Sequence, residues 1–278
     1  MGYAFAPGEL RRLQEKTLEM LEAFRQYCDE NGLLFYLCGG CCIGAVREGG
    51  FLPWDDDADV FMPREDYERL ASLWQDTERY ALLHTDGQHN YGNAFATLVD
   101  TSTTCIREQT KEIDMPHGIA IDIFPLDGCP KGFRRLMQKK DALLHLLFLT
   151  QVVPVNHGKL VTLGAKLLLG LVRSEEKRRR IWQKAEKRMS RYAIRDCDAI
   201  TELCAGPYYM NKVYPKEAFA SAVLLPFEGT QMPVPVGYDA YLTEAFGDYM
   251  TPPPADQQMP EHDIVFLDLD RGEGENSR

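Results

Sequence analysis

Leu10, Leu13, Thr17, Leu21, Phe24 and Cys28 recur at helical spacing with charges between them, so residues 9–30 predict an amphipathic helix stopped by Asn31-Gly32. A short apolar run, Leu33 to Leu37, predicts a buried strand ending at Gly39-Gly40, and Cys41 to Glu48 a short helix closed by Gly49-Gly50. Asp57 to Met62 alternates charged and apolar residues, the period of a strand, and Arg64 to Trp74 returns to helix. Further strands are predicted at Tyr80–His84, Phe95–Val99, Thr103–Arg107 and Ile119–Phe124, the last ended by Pro125. Beyond Lys131 the pattern is helical: apolar runs at Leu143–Val153 and Leu160–Val172 flank a turn at Pro154–Gly158, and the charged stretch Arg173–Arg191 follows. From about Ala199 the chain is turn-rich and aromatic, with Pro252-Pro253-Pro254 as a rigid spacer and a polar tail after Asp270. No internal repeat is visible.

Composition adds a division of charge. The 278 residues are 45% hydrophobic and 26% charged, enough to bury a core without disulfide or metal staples. The net charge of −11 argues against nucleic acid as a partner. Between Lys131 and Arg195, however, 17 Lys/Arg face 4 Asp/Glu, a net of +13, which leaves −24 on the remainder. We therefore divide the chain into an N-terminal body (1–130), a basic helical insert (131–198) and a C-terminal segment (199–278). The insert's apolar runs, 11 and 13 residues long, are too short for the roughly 20 that span a bilayer. Two readings stay open: a helical hairpin packed on the body, or a surface element that meets an anionic membrane.

The N-terminal stretch lacks a basic region followed by an apolar core, and eight cysteines fit free thiols in a reducing compartment, so the expectation is a cytoplasmic protein. Cys38-Gly-Gly-Cys41 has no second Cys/His pair at zinc-finger spacing, and the cysteines read as small buried residues. The six histidines are scattered, and none is assigned a role.

Candidate chemistry lies between Leu37 and Val60. A strand turns at Gly39-Gly40 into a helix start, where backbone N–H groups can approach a phosphate, and Arg47 lies three residues past Gly44. Asp55, Asp56, Asp57 and Asp59 then crowd the mouth of the next strand. Alternation puts Asp57 and Asp59 on one side, about 7 Å apart, where they repel unless a cation lies between them. Asp122, in the apolar strand Ala120-Ile-Asp-Ile-Phe124, needs a partner; a basic side chain or a metal shared with Asp57 and Asp59 would serve. Asp127, after Pro125, reads as more exposed. Hard oxygen ligands suit magnesium carrying substrate phosphates. Asp55, Asp57, Asp59 and Asp66 match four EF-hand positions, but Val60 and Phe61 stand where the loop needs its glycine turn, which excludes calcium. Neither a Walker A loop nor a dinucleotide fingerprint is present.

Gly39-Gly40 through Arg47, Phe51-Leu-Pro-Trp-Asp-Asp-Asp-Ala-Asp59 and Ile121-Asp-Ile-Phe-Pro-Leu-Asp127 together resemble the LicD family. The closing pattern agrees, in Phe227-Glu228, Val234-Pro235, Tyr241-Leu242, Phe246-Gly247-Asp248-Tyr249-Met250 and Pro252-Pro253. The resemblance spans about residues 10–130 and 215–262. It implies an α/β (α+β) fold: a nucleotidyltransferase-like mixed sheet with the C-terminal segment packed on the core. It also implies transfer of a phospho-alcohol, phosphocholine above all, from a CDP-linked donor to a cell-surface glycan or its lipid-linked precursor. Fukutin-type relatives transfer ribitol phosphate. By the same resemblance Asp57, Asp59 and Asp122 are the catalytic, metal-binding carboxylates, for Mg2+ or Mn2+. Gly39, Gly40, Cys41, Gly44, Arg47, Trp54 and Asp55 are the substrate-binding set. Cys41 replaces the usual Ser or Thr, and Thr97 stands where many relatives carry lysine. The expected location is the cytoplasm, peripheral at the inner membrane face. Alternatives are a nucleotidyltransferase that releases pyrophosphate from an NTP, and a non-catalytic scaffold binding glycan or lipid.

Overall fold

The computed structural model describes residues 3–86, 88–153, 159–260 and 262–273. Among these residues seven α-helices accompany a mixed seven-stranded sheet, which agrees with the expected α/β class. Helix α1 (Glu9–Asn31) buries Leu13, Thr17, Met20, Leu21, Phe24 and Cys28, the stripe that its spacing predicts. Gly32, in the left-handed region at φ 58°, ends it.

The sheet runs β1 (Tyr36–Leu37), β2 (Ala58–Pro63), β6 (Ile119–Cys129), β4 (Ala96–Asp100), β3 (Tyr80–Leu83). Strand β6 is its axis. It pairs in parallel with β2, and on its other edge antiparallel first with β4 and then with β7 (Ala199–Glu202), which in turn carries β8 (Tyr214–Pro215). Pro125 does not end β6, contrary to the sequence reading. The β4 partnership stops at Ile123 and that of β7 begins at Leu126, so proline sits where this edge changes partners and no donor is required.

Helix α2 (Gly39–Arg47) follows β1, and α3 (Arg64–Leu73) follows β2. The first residue of α3, Arg64, makes two parallel hydrogen bonds to Asp127, at 2.9 and 2.7 Å. Asp127 is fully buried, which corrects the expectation of an exposed side chain: an arginine 63 positions earlier neutralises it.

The basic insert forms α4 (Phe133–Thr150), α5 (Lys159–Leu171) and α6 (Glu175–Met189); the expected turn at 154–158 lies outside the described residues. Gln138 of α4 donates to the carbonyls of Gly128 and Met189, tying α4 to β6 and α6. Ala142 and Met189 pack with Leu203, Cys204 and Met210, while Phe148, Leu149 and Trp182 make a second small core. All eight cysteines are free and buried.

The turn-rich C-terminal part holds more regular structure than its composition suggests. A hairpin of β9 (Ala222–Phe227) and β10 (Thr230–Pro235) turns through Glu228 and Gly229, both at positive φ, and α7 (Tyr238–Phe246) follows. Strand β11 (Ile264–Asp268) then pairs antiparallel with β5 (Thr104–Arg107). Beyond Asp270 the tail is not free at its start: Thr104 donates to the Arg271 carbonyl, and Gly272 packs on the Thr101 carbonyl where a Cβ would collide.

Candidate active site

Alternation along β2 separates two environments. Ala58, Val60 and Met62 are fully buried in the core, whereas Asp57, Asp59 and Phe61 line a cleft of about 310 Å3 on the other face. The parallel register pairs Asp59 with Asp122 and Phe61 with Phe124, so β6 presents the same sequence of groups to the same cleft. Adjacent strands lie about 4.8 Å apart. The three carboxylates singled out from the sequence therefore converge on one wall.

The electrostatics show how strained that convergence is. Burial, then the charges of Asp57, Asp122 and Asp55, hold the Asp59 carboxyl well above its ordinary range. Burial also raises Asp57, although His262 and Arg107 pull it back. Asp122 receives a hydrogen bond from Thr97 at 2.9 Å and has Arg107 at 3.8 Å, so a basic neighbour is present at the edge of the cluster. Burial works against the Arg107 charge, but Asp122, Cys105, Asp57 and Asp56 outweigh it.

His262 was passed over in the sequence. Its Nδ1 lies 3.0 Å from Asp56 and its Nε2 3.4 Å from Asp57, which bridges the two carboxylates. Burial disfavours its positive charge, yet the Asp56 hydrogen bond and Asp57 raise its pKa overall. Asp56, Asp57 and His262 offer ligand atoms within 4.8 Å of one another, but these two ring contacts account for the cluster without an ion. Asp57, Asp59 and Asp122 line one cleft and offer only oxygen donors, the type a hard divalent cation takes, although their ligand atoms are not gathered within 4.8 Å of one another as those of Asp56, Asp57 and His262 are.

The substrate-binding set divides. Gly39 lines the cleft at φ 52°, its N–H donating to the buried Tyr241 hydroxyl at 3.0 Å. A Cβ on Gly40 would collide with the Asp55 carboxylate, and one on Gly44 with the Gly50 carbonyl, so close protein contacts require both glycines. Cys41 is buried with its thiol 3.8 Å from the Asp57 carbonyl. Arg47 lies at the far end of α2, away from the cleft. Its guanidinium sits 5.8 Å from the Trp54 ring centroid and donates to Glu48 at 2.8 Å and to the Tyr249 carbonyl at 3.2 Å.

The cleft also has aromatic lining. Phe95, Phe124 and Tyr209, half-buried, and Phe246, exposed, line it, with Tyr209 and Phe246 ring centroids 6.5 Å apart. Glu202, at the end of β7, adds a buried carboxyl that accepts from the Tyr214 hydroxyl; burial pushes its pKa up to about 7. No pattern in the sequence joined these residues, since they come from five separate stretches.

Comparison with known proteins now places this arrangement. Over 263 residues, 91% of this chain and 96% of the relative, the sequence is 31% identical to the lipopolysaccharide cholinephosphotransferase LicD of Haemophilus influenzae. The chain belongs to the LicD family. The family's model, described as the LicD/FKTN/FKRP nucleotidyltransferase domain, matches residues 32–140, which include all three cleft carboxylates. A fainter likeness, 25% identity over 173 residues, is to mannosyltransferase regulator 4 of Saccharomyces cerevisiae; it covers 59% of this chain and 14% of that protein. Within the LicD match fall β1 to β6 and the start of α4.

Proposed function

We propose that the protein transfers phosphocholine from CDP-choline to a hydroxyl of a cell-surface glycan or of its lipid-linked precursor, in a reaction that needs a divalent cation. The observation that carries this reading is the composition of one cleft, whose lining joins Asp57, Asp59 and Asp122 with aromatic rings and the Glu202 carboxyl. A quaternary ammonium is attracted to aromatic faces and to a carboxylate, and cannot donate hydrogen bonds. Ribitol or glycerol would instead call for a polar wall. The relative's cholinephosphotransferase activity points the same way.

In the proposed reaction the acceptor oxygen attacks the phosphorus that bears choline. The phosphorus–oxygen bond to the cytidine phosphate breaks, CMP leaves with the bridging oxygen, and a carboxylate of the cluster takes the hydroxyl proton. Asp57, Asp59 and Asp122 would hold magnesium or manganese, which supplies positive charge to the phosphates. Arg107 contributes a fixed positive charge beside Asp122, and Thr97 holds the Asp122 carboxylate in place. Tyr209 and Phe246 would orient the trimethylammonium group.

The test is CMP release from CDP-choline, CDP-ribitol and CDP-glycerol, with an acceptor glycolipid and with magnesium or EDTA. The reading expects CMP from CDP-choline only with metal, and a loss on the order of a thousand-fold in Asp57→Asn and Asp59→Asn. Equal turnover of all three donors, or turnover in EDTA, would refute it.

A further inference from the structure

Helix α5 contains no acidic residue, and its sequence is apolar nearly all round. Leu169, with Val172 just beyond the helix, packs beside Phe148, Leu149 and Trp182, and Ala165 is buried. That inward stripe uses only part of the circumference. Leu163, Leu167 and Leu171 recur every four residues along another stripe and are 55%, 57% and 81% exposed. Leu168 widens the same ridge. Arg178 fixes the helix in this orientation by donating to the carbonyls of Leu169 and Val172.

Charge identifies what covers the ridge. Lys166 on α5 and Arg173 just beyond it are exposed, as is Lys177 in the first turn of α6 beside the exposed Glu175 and Glu176, within a segment of net charge +13. A second copy of the chain would bring two such segments face to face, which repulsion opposes. An anionic lipid surface satisfies both features, because it accepts apolar side chains and attracts the surrounding cations. At 1.5 Å per residue the 13 residues of α5 measure about 20 Å, short of the roughly 30 Å hydrocarbon core. Among the described residues no helix is long and apolar enough to cross a membrane.

We propose that α5 lies in the plane of an anionic bilayer, with Leu163, Leu167 and Leu171 inserted below the headgroups and Lys166, Arg173 and Lys177 among them. This docking surface does not rest on the reaction proposed above. The test is cosedimentation of the full chain with vesicles of mixed phosphatidylglycerol and phosphatidylcholine, and with phosphatidylcholine alone. Binding should be at least about ten-fold stronger to the anionic vesicles and should weaken with salt. Leu167→Ser with Leu171→Ser should weaken binding at least about ten-fold. Lys166→Glu with Arg173→Glu and Lys177→Glu should abolish the anionic preference, at about five-fold per cation. All these substitutions are at exposed positions, and unchanged circular dichroism and melting temperature establish that the variants fold. Equal binding to both vesicle types, or undiminished binding of the leucine variant, would overturn the proposal. A dimer in solution that the leucine substitutions split would also overturn it, by assigning the ridge to a second copy.

Discussion

Replacing Glu202 by glutamine isolates a cleft carboxyl that lies outside the aspartate cluster. Glutamine has the same shape and keeps an acceptor for the Tyr214 hydroxyl, but does not titrate. Burial raises the carboxyl from 4.5 to about 7, with Tyr214 and Lys212 opposing it. Between those two pH values the folded protein binds this proton more tightly than the unfolded chain. The associated stability is therefore complete below about pH 4.5 and is lost as pH rises through about 7. The gap is worth up to about 3 kcal/mol at 1.4 kcal/mol per pH unit. Glu202→Gln should thus be more stable than the parent by up to about 3 kcal/mol at pH 8 and nearly equal to it at pH 4. For a chain of this size that is roughly 6–12 °C in melting temperature at the higher pH. Paired urea or thermal denaturation at the two pH values measures the difference, in which groups titrating equally in both proteins cancel. A stability difference independent of pH would refute the reasoning, since the carboxyl would then be ionised throughout. If the Glu202 carboxylate meets the trimethylammonium group, as the proposed function has it, the same variant should show a raised KM for CDP-choline at pH 8.

Under the proposed function, Tyr209→Leu with Phe246→Leu should raise the KM for CDP-choline by about 2- to 30-fold in steady-state assays and leave that for CDP-glycerol unchanged, because a quaternary ammonium would use the ring faces and a polyol would not. Arg64→Met leaves Asp127 buried without its partner and should cost about 3–5 kcal/mol in urea unfolding; adding Asp127→Leu should restore most of it. Gly44→Ala drives a methyl into the Gly50 carbonyl and should cost about 1–3 kcal/mol in the same measurement.

Local signals carried much of this structure. The stripe of α1 and the alternation of β2 are properties of a few consecutive residues, and both elements form with Asp57 and Asp59 on one side as their spacing requires. Asp122 was legible because a charge inside an apolar strand is conspicuous, although its placement beside Asp59 depends on strand register that no local pattern encodes. Pro125 misled as a terminator because its tolerance depends on β4 and β7 exchanging places along one edge. Asp127 misled because its partner is Arg64, on a different element. Arg107 and His262 were invisible for a related reason: the pairing of β5 with β11 carries both to the carboxylates, and 155 positions separate them. The basic segment was conspicuous in composition, but its exposed leucine ridge appears only once α5 is seen packed on one side.

The pairing of β5 with β11 also sets a schedule. His262 follows Asp122 by 140 positions, so at a synthesis rate of about 5–20 residues per second it emerges roughly 7–30 s later. Throughout that interval a nascent chain carries Asp56, Asp57, Asp59 and Asp122 but lacks the imidazole that bridges the first two. The site's electrostatics are therefore completed from the far end of the sequence: the group that bridges Asp56 and Asp57 arrives with β11, well after the strands that carry the acids.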